Sequence, residues 1–294
     1  MIKDIEYKYR KLINIFVLFF YKILRTFYKN NNSELKLIIL KNRKTLSEAH
    51  SLLSENQYAE NNYGIPGNVF LSINKPIDSF PTYSDIFIFI SRYLNKPINY
   101  LEIGVSVLKN YIQMNESLQN SNLTCFDINP IAPNSLFIFN ENNKRENSNE
   151  NIFTGYNNEN ENVLSYYKGN VLDREETGVF RNAHNSKFNF IFSDALHEHD
   201  AVITEYKNII KGNLDEEFIL YFDDLDFPGL ENTINLIYSD IKKEYKDVFC
   251  TTFYINGWVG QHEKLHKNAL ISTIDFYEVM KKEKIKLPFI RRWI

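Results

Sequence analysis

The chain has 294 residues, enough for one large domain with additions or for one domain plus a small appended one. It is 44% hydrophobic and 24% charged, with 23 Phe and 19 Tyr, so a wholly disordered chain is excluded. The net charge of -3 gives no general attraction to polyanions. We therefore expect a small-molecule or glycan partner and no nucleic acid.

Two cysteines, Cys125 and Cys250, lie within apolar or β-branched runs. Neither has a neighbouring residue of the kind that would complete a metal site. Their setting indicates packing in a reducing compartment rather than a disulfide framework, so we expect a cytoplasmic protein.

The N-terminal thirty residues contain an intensely apolar run, Leu12 to Tyr21, flanked on both sides by Lys and Arg. The run is shorter than the roughly 20 apolar residues of a membrane-spanning helix, and no small-residue cleavage site follows it. We expect a helix over residues 1–30. It either docks on the domain or on a second subunit of a homo-oligomer, or makes peripheral membrane contact through residues 12–27.

A helical segment is expected next, over residues 31–97. Apolar residues recur at helical spacing from Ser33 to about Glu60, and Ser84-Asp85 is a plausible N-cap for a second helix. This segment is interpreted as a cap on a main domain at residues 98–280. Residues 281–294 form a basic and aromatic tail.

The main domain shows short apolar runs separated by helical patterns, which is typical of a parallel sheet covered on both faces. We predict an α/β, doubly wound, mostly parallel seven-stranded sheet with an antiparallel last strand, plus the N-terminal helical extension. The predicted strands are Ile98 to Ile103, Leu123 to Asp127, Tyr166 to Lys168, Phe188 to Ser193, Phe218 to Phe222, Val248 to Ile255 and Ala269 to Ile274. The Asn-rich stretch from Asn134 to Asn162 breaks this rhythm and is expected to be a solvated insertion or a flap.

Acidic residues stand at the ends of five predicted strands. In open α/β sheets ligands bind beyond the carboxyl ends of the strands, where these side chains would converge. Carboxylates are otherwise disfavoured near a buried sheet, so their recurrence indicates a shared polar ligand. They are Glu102, Asp127, Asp173, Asp194 and the pair Asp223-Asp224.

The first of these strand ends, Tyr100-Leu-Glu-Ile-Gly-Val-Ser106, resembles the first motif of class I S-adenosylmethionine-dependent methyltransferases. The likeness extends over roughly Ile98 to Thr273. It implies a Rossmann-like fold, S-adenosylmethionine as cofactor, and a glycine-containing turn at Gly104 that lets the backbone approach it. Ser106 and Leu108 stand where many members have further glycines.

The resemblance also implies a role for the carboxylates at the first three strand ends. Glu102 would hold the methionyl end of the cofactor through its ammonium group. Asp127, followed by Ile128, would accept both ribose hydroxyls, and Asp173 would face the adenine amino group. Gly104 and Ser106 complete the cofactor-binding set.

The fourth and fifth strand ends are similar to those of metal-assisted O-methyltransferases. A hard divalent ion such as Mg2+ takes oxygen ligands and lowers the pKa of a bound hydroxyl. Asp194, Asp223 and Asp224 are the candidate metal ligands, Asp194 is also a candidate catalytic residue, and His197 is the candidate general base. His197 and His199 lie two positions apart, so they do not share the helix face that zinc metalloproteases use.

Two alternatives remain open on the sequence. Asp223-Asp224-Leu-Asp226 also resembles the acidic metal motif of glycosyltransferases. The apolar N-terminus and the missing glycines suit a non-catalytic, membrane-associated protein on a methyltransferase scaffold. Trp258, in a Gly-rich connection, is interpreted either as a wall of the acceptor pocket or as part of a structural hairpin.

Overall fold

A computed structural model describes most of the chain after residue 30. The described residues are 31–54, 81–106, 108–131, 133–139, 152–157, 159–184, 186–256 and 265–293. The expectations for residues 1–30 and for Trp258 lie outside these ranges. Within them, no helix is both long enough and apolar enough to cross a membrane.

The described strands form one mixed sheet. They are β1 (Asn99–Ile103), β2 (Asn122–Asp127), β3 (Ile152–Asn157), β4 (Asn162–Lys168), β5 (Phe188–Ser193), β6 (Leu214–Phe222), β7 (Phe249–Asn256), β8 (Leu265–Ser272) and β9 (Arg291–Arg292). Their order across the sheet is β3-β4-β2-β1-β5-β6-β8-β7-β9. The α/β, doubly wound fold predicted from the sequence is confirmed.

The central strands run parallel, from β4 through β2, β1 and β5 to β6. They read as continuous apolar runs because helices cover both faces of the sheet. The predicted antiparallel last strand is β8, which inserts between β6 and β7 and is antiparallel to both. This placement brings the beginning of β8 to the carboxyl end of β6.

One side of the sheet, its first face, is covered by helices α1 (Ser33–Ser54) and α2 (Tyr83–Ser91), which form two layers. Every residue of α2 is buried, including Ser84, Asp85 and Ser91 among its apolar residues. Its Phe87 ring packs against Phe192 and Tyr221, with centroid distances of 4.8 and 4.6 Å. The helix therefore lies directly over β5 and β6, and α1 packs on it and on the next helix.

A buried ion pair joins α1 to α2. The Arg43 guanidinium lies 2.8 Å from the Asp85 carboxylate, which also accepts a bond from Asn42 Nδ2 at 2.7 Å. Asp85 is not the N-cap that the sequence suggested. Thr82 holds that position, and Asp85 three residues later completes a capping box with it.

The remaining helices complete the two faces. The first face also carries α3 (Lys109–Ser117) and α7 (Phe276–Lys282), whose apolar residues share one core with α1 and α2. The second face carries α4 (Arg174–Ala183), α5 (His199–Glu205) with a π-helical continuation (Tyr206–Ile210), and α6 (Leu230–Glu244). The π-turn interrupts what the sequence predicted as one helix from Glu198 to Ile210.

Two further strands extend the seven that were predicted. Part of the Asn-rich stretch forms a 3₁₀ helix (Pro133–Phe139) and β3, which pairs antiparallel with β4. Expecting the whole stretch to be a solvated insertion was wrong, because Phe139 is buried against the core and Gly155 packs on its backbone. At the other edge, β9 from the C-terminal tail pairs with β7.

Candidate active site

A cleft opens where the order of the strands reverses, between β1 and its neighbours β2 and β5. It encloses about 650 Å³ including its open mouth. This is the topological switch point, where open α/β sheets bind ligands. The lining residues come from the loops after β1, β2, β4 and β5: Gly104, Ser106, Phe126, Asp127, Ile128, Asn129, Gly169, Asn170, Val171, Asp194, Ala195 and Leu196.

Gly104 stands where the loops after β1 and β5 cross. A Cβ at this position would lie 2.5 Å from the Asp194 carbonyl oxygen and 2.6 Å from the Ala195 Cα. The residue also has a φ of +82°, a conformation that side chains strongly disfavour. Glycine is therefore required here by two independent constraints.

The loop keeps a glycine-like backbone at two positions that are not glycine. Ser106 has a φ of 51° and Leu108 a φ of 64°, both in the left-handed region that costs a non-glycine residue about 1 kcal/mol or more. The turn is therefore strained at both positions.

Asp127 holds this loop from the tip of β2. Its Oδ2 accepts bonds from the Val105 and Ser106 amides at 2.8 and 3.3 Å, and its Oδ1 accepts bonds from the Asn129 amide and from Asn129 Nδ2 at 2.8 and 3.2 Å. These bonds occupy both acceptor positions of each carboxylate oxygen, so a ligand hydroxyl would bind by displacing the Asn129 side chain. The adjacent Ile128 side chain is 58% exposed in the cleft.

The wall after β4 consists of Gly169, Asn170 and Val171. Asp173, expected to face adenine, instead caps α4: its Oδ1 accepts bonds from the Glu175 and Glu176 amides. The structure places its carboxylate outside the described cleft wall. The resemblance to methyltransferases implied this role for Asp173, whereas Asn170, three residues earlier, lines the cleft.

Glu102 is buried beneath the cleft rather than lining it. Its Oε2 accepts bonds from the Tyr100 hydroxyl and from Asn110 Nδ2, both at 2.9 Å. Burial raises the pKa of Glu102 to about 8, although the bonds from Tyr100 and Asn110 oppose the shift. The Asn110 Oδ1 is itself buried and has no hydrogen-bond partner.

Beyond the cleft, carboxylates and imidazoles alternate across the ends of β5, β6 and β8. His197 lies between Asp194, 3.4 Å from its Nε2, and Asp224, 3.7 Å from its Nδ1. The other Asp224 oxygen bonds to His266 Nδ1. Burial lowers the pKa of His197, but the neighbouring carboxylates outweigh it and the net shift is upward.

His266 is a site residue that the sequence analysis missed. Burial would lower its pKa, but the charges of Asp223 and Asp224 raise it to about 9. Asp223 is also buried, and burial raises its pKa. Among the described residues, one group offers three metal-ligating atoms within 4.8 Å of one another, formed by Asp223, Asp224 and His266. Asp194 is not in that group, and His199 bonds to Thr233 instead.

Two more buried groups border this cluster. Tyr83 begins α2 and contacts Phe192, two residues before Asp194; burial and the charges of Asp194 and Asp223 raise its pKa well above 10. Glu205 ends α5, and burial raises its pKa to about 7. No sequence signal marked either residue, because each reaches the site only through helix packing.

Comparisons with known proteins give structural likenesses only. No protein-family model matches the chain, and no curated protein matches it. Solved structures that resemble it include the O-methyltransferase TomG from Streptomyces achromogenes in complex with SAM (12% identity, 78% of this chain and 88% of that one, TM-score 0.47). The cofactor-bound Rv0187 from MTB (9%, 78% and 89%, 0.45) and spermidine synthase from Thermotoga maritima (11%, 68% and 62%, 0.37) are also similar. Likenesses at this level identify neither an activity nor a substrate.

Proposed function

We propose that the protein is an S-adenosylmethionine-dependent methyltransferase that methylates a hydroxyl group of a small molecule or glycan. The observation that carries the proposal is the cleft at the switch point, whose described lining residues include Asp127 and Asp194 and neither Lys nor Arg. Its shape suits a nucleoside, and its charge suits a cation.

The charge of the wall discriminates between nucleoside ligands. Dinucleotides and nucleotide sugars carry diphosphates, which proteins bind with open glycine turns, helix N-termini and cationic side chains. Here Ser106 fills one of the usual glycine positions, and the lining carboxylates would repel a diphosphate. S-adenosylmethionine has no phosphate and carries a sulfonium and an ammonium, so the same wall attracts it. This argument disfavours the glycosyltransferase alternative.

Each part of the cofactor has a matching surface. Asp127 would accept the ribose hydroxyls once the Asn129 side chain, which donates to its Oδ1, is displaced. Ile128 supplies an exposed apolar face for adenine, and Asn170 a polar group at its rim. Glu102 and Asn110 place buried acceptors beneath the loop, on the side where the methionyl ammonium would enter.

The acceptor would bind on the other side of Asp194, over the alternating carboxylates and imidazoles. Leu196 and Phe227 are about half exposed there, and the Phe227 ring stacks on His197 at 5.1 Å. His197, held between Asp194 and Asp224, borders this surface and would act as the general base after it releases the proton that its raised pKa favours. Alignment of the hydroxyl with the methyl group by these walls would supply much of the rate enhancement.

A divalent ion fits the carboxylate end of this arrangement. Asp223 and Asp224 would hold it, with Asp194 or His266 beside them. Such an ion, when bound, lowers the pKa of an acceptor hydroxyl and orients it. The carboxylates of this cluster set its negative charge, and the packing beneath α2 excludes water. Asp194 and Asp224 fix the position of His197.

Calorimetric titration of the full chain with S-adenosylmethionine and with S-adenosylhomocysteine tests the proposal. We expect both to bind, and 5′-methylthioadenosine, which lacks the amino-acid moiety, to bind more weakly. NAD and UDP-glucose should not bind. Folded protein without affinity for either sulfur nucleoside would contradict the proposed function.

A further inference from the structure

We propose that His266 is a ligand of a divalent first-row transition-metal ion, forming with Asp223 and Asp224 a site of two carboxylates and one imidazole. This donor set differs from the all-carboxylate set that the sequence suggested. It deepens the metal step of the proposed function, but its test needs neither cofactor nor acceptor.

The backbone fixes His266 against the loop that carries the two carboxylates. The Leu225 amide donates to the Lys267 carbonyl at 2.7 Å, and the Lys267 amide donates to Asp226 Oδ2 at 3.0 Å. These bonds continue the pairing of β6 with β8 past Asp224. His266 is thus held next to the loop by rigid elements, which is the condition for a preorganised metal site.

The imidazole is turned onto both carboxylates. Its Nδ1 contacts the Asp224 carboxylate directly and lies 3.9 Å from Asp223 Oδ1. The exposed fractions of the side chains are 17% for His266, 5% for Asp223 and 23% for Asp224. Three groups that normally require solvent or a counter-ion therefore share one small, largely buried volume.

Asp194 lies outside the group formed by Asp223, Asp224 and His266. Its carboxylate lies 3.4 Å from His197 Nε2, and the His197 ring stands between it and Asp224. An ion held by Asp223, Asp224 and His266 leaves the pair of Asp194 and His197 intact. An ion held by Asp194, Asp223 and Asp224 would require the His197 ring to move.

The donor set decides which ion is preferred. Mg2+ requires near-octahedral oxygen coordination and keeps several waters. Imidazole nitrogen favours ions such as Fe2+, Co2+ or Zn2+, and Mn2+ accepts a mixed set of carboxylate and imidazole ligands. The geometry therefore points to a transition-metal ion at this site, with Mg2+ binding more weakly.

Mn2+ alone is a direct probe. In the full chain, we expect pulsed EPR of bound Mn2+ to show coupling to a directly coordinated 14N nucleus, and Mg2+ to compete only at roughly tenfold or greater excess. His266→Asn should abolish the coupling and weaken Mn2+ binding about tenfold or more. His199→Asn, whose ring bonds to Thr233 on α6, is the matched control and should change neither.

Two further variants protect the test against misfolding and misassignment. His197 is the other described imidazole near Asp224, so His197→Asn should retain the nitrogen coupling even if His266→Asn fails to fold. His266→Asp should keep ion binding, remove the coupling and shift the preference toward Mg2+. Absence of Mn2+ binding, absence of 14N coupling, or coupling that survives His266→Asn would overturn the proposal. Failure of S-adenosylhomocysteine to bind would contradict the proposed function and leave this result unaffected.

Discussion

The cleft at the switch point and the cluster of Asp194, His197, Asp223, Asp224 and His266 meet at Asp194, yet they are built differently. The cleft is shaped mainly by backbone: a glycine turn, two left-handed residues and a carboxylate that accepts amide bonds. The cluster is shaped by side-chain charges from three strand ends. The cleft should therefore be sensitive to changes in side-chain size, and the cluster to changes in side-chain charge.

Energetic reasoning supports the same contrast. Close backbone approach leaves no side chain that can move aside, so an added methyl group is costly. In the cluster, exchanging a carboxylate for an amide preserves volume but leaves an imidazole without its charge partner.

Gly104→Ala should have the largest effect. The new Cβ would meet the backbone of Asp194 and Ala195 at 2.5 to 2.7 Å, in a left-handed conformation. We expect a loss of several kcal/mol of stability and no measurable S-adenosylhomocysteine binding by calorimetry. Gly178→Ala is the control: it lies within α4 with no atom within 4 Å of its added Cβ and should stabilise the protein by about 1 kcal/mol. Equal effects of the two would refute the steric role.

Asp224→Asn tests the charge dependence of the cluster. It preserves volume but removes the charge that faces both His197 and His266. Turnover should fall about 100-fold or more, while S-adenosylhomocysteine affinity stays within about twofold because the cleft is untouched. Asp200→Asn, at a fully exposed position of α5, should change neither. A fall in cofactor affinity as large as the fall in turnover would contradict the separation.

Asp127→Asn tests the carboxylate that belongs to the cleft. Losing charge-assisted bonds costs about 1.5 to 3 kcal/mol, so affinity for S-adenosylhomocysteine should fall roughly 10- to 100-fold. Asp173→Asn should leave affinity unchanged, because Asp173 caps α4 and Asn is an equally good cap. If Asp173→Asn weakens binding of S-adenosylhomocysteine, the predicted contact of Asp173 with adenine is supported.

Glu102→Gln tests the buried carboxyl beneath the loop through pH. Folding raises the pKa of Glu102 from 4.5 to about 8, so the folded state holds a proton that the unfolded state releases between these values. Stability due to this group is complete below pH 4.5 and is lost as pH rises to about 8, by roughly 1.4 kcal/mol per pH unit. In urea unfolding, the stability of Glu102→Gln relative to the wild type should therefore increase from pH 5 to 8.5. The exposed control Glu159→Gln should show no such trend; a pH-independent difference for Glu102→Gln would contradict the shift.

Ser106→Gly should have the smallest effect. Relief of the left-handed conformation stabilises the fold, and the greater freedom of glycine in the unfolded chain offsets part of the gain. In thermal unfolding, we expect the free energy of unfolding to rise by at most about 1 kcal/mol. Ser239→Gly, at an ordinary helical position of α6, should instead lose about 0.5 to 1 kcal/mol. A destabilised Ser106→Gly would show that the hydroxyl stabilises the loop.

Much of the fold could be predicted from local pattern. Short segments rich in aromatic and β-branched residues, such as Phe188–Ser193, have few alternatives to a buried strand, and the glycine turn after β1 follows from one motif. The edge strands β3 and β9 could not, because one is surrounded by Asn-rich sequence and the other has two residues. Their pairing depends on neighbours distant in the chain.

The sequence by itself determined which strand ends carry carboxylates, because residue type and strand position are local properties. Tertiary structure decided which of them act together. Asp173 caps α4, and Glu102 is buried beneath the cleft. His266 lies beside the carboxylates because β8 is antiparallel and inserts beside β6. Distances between side chains on different strands are set by packing and register, which no single segment contains.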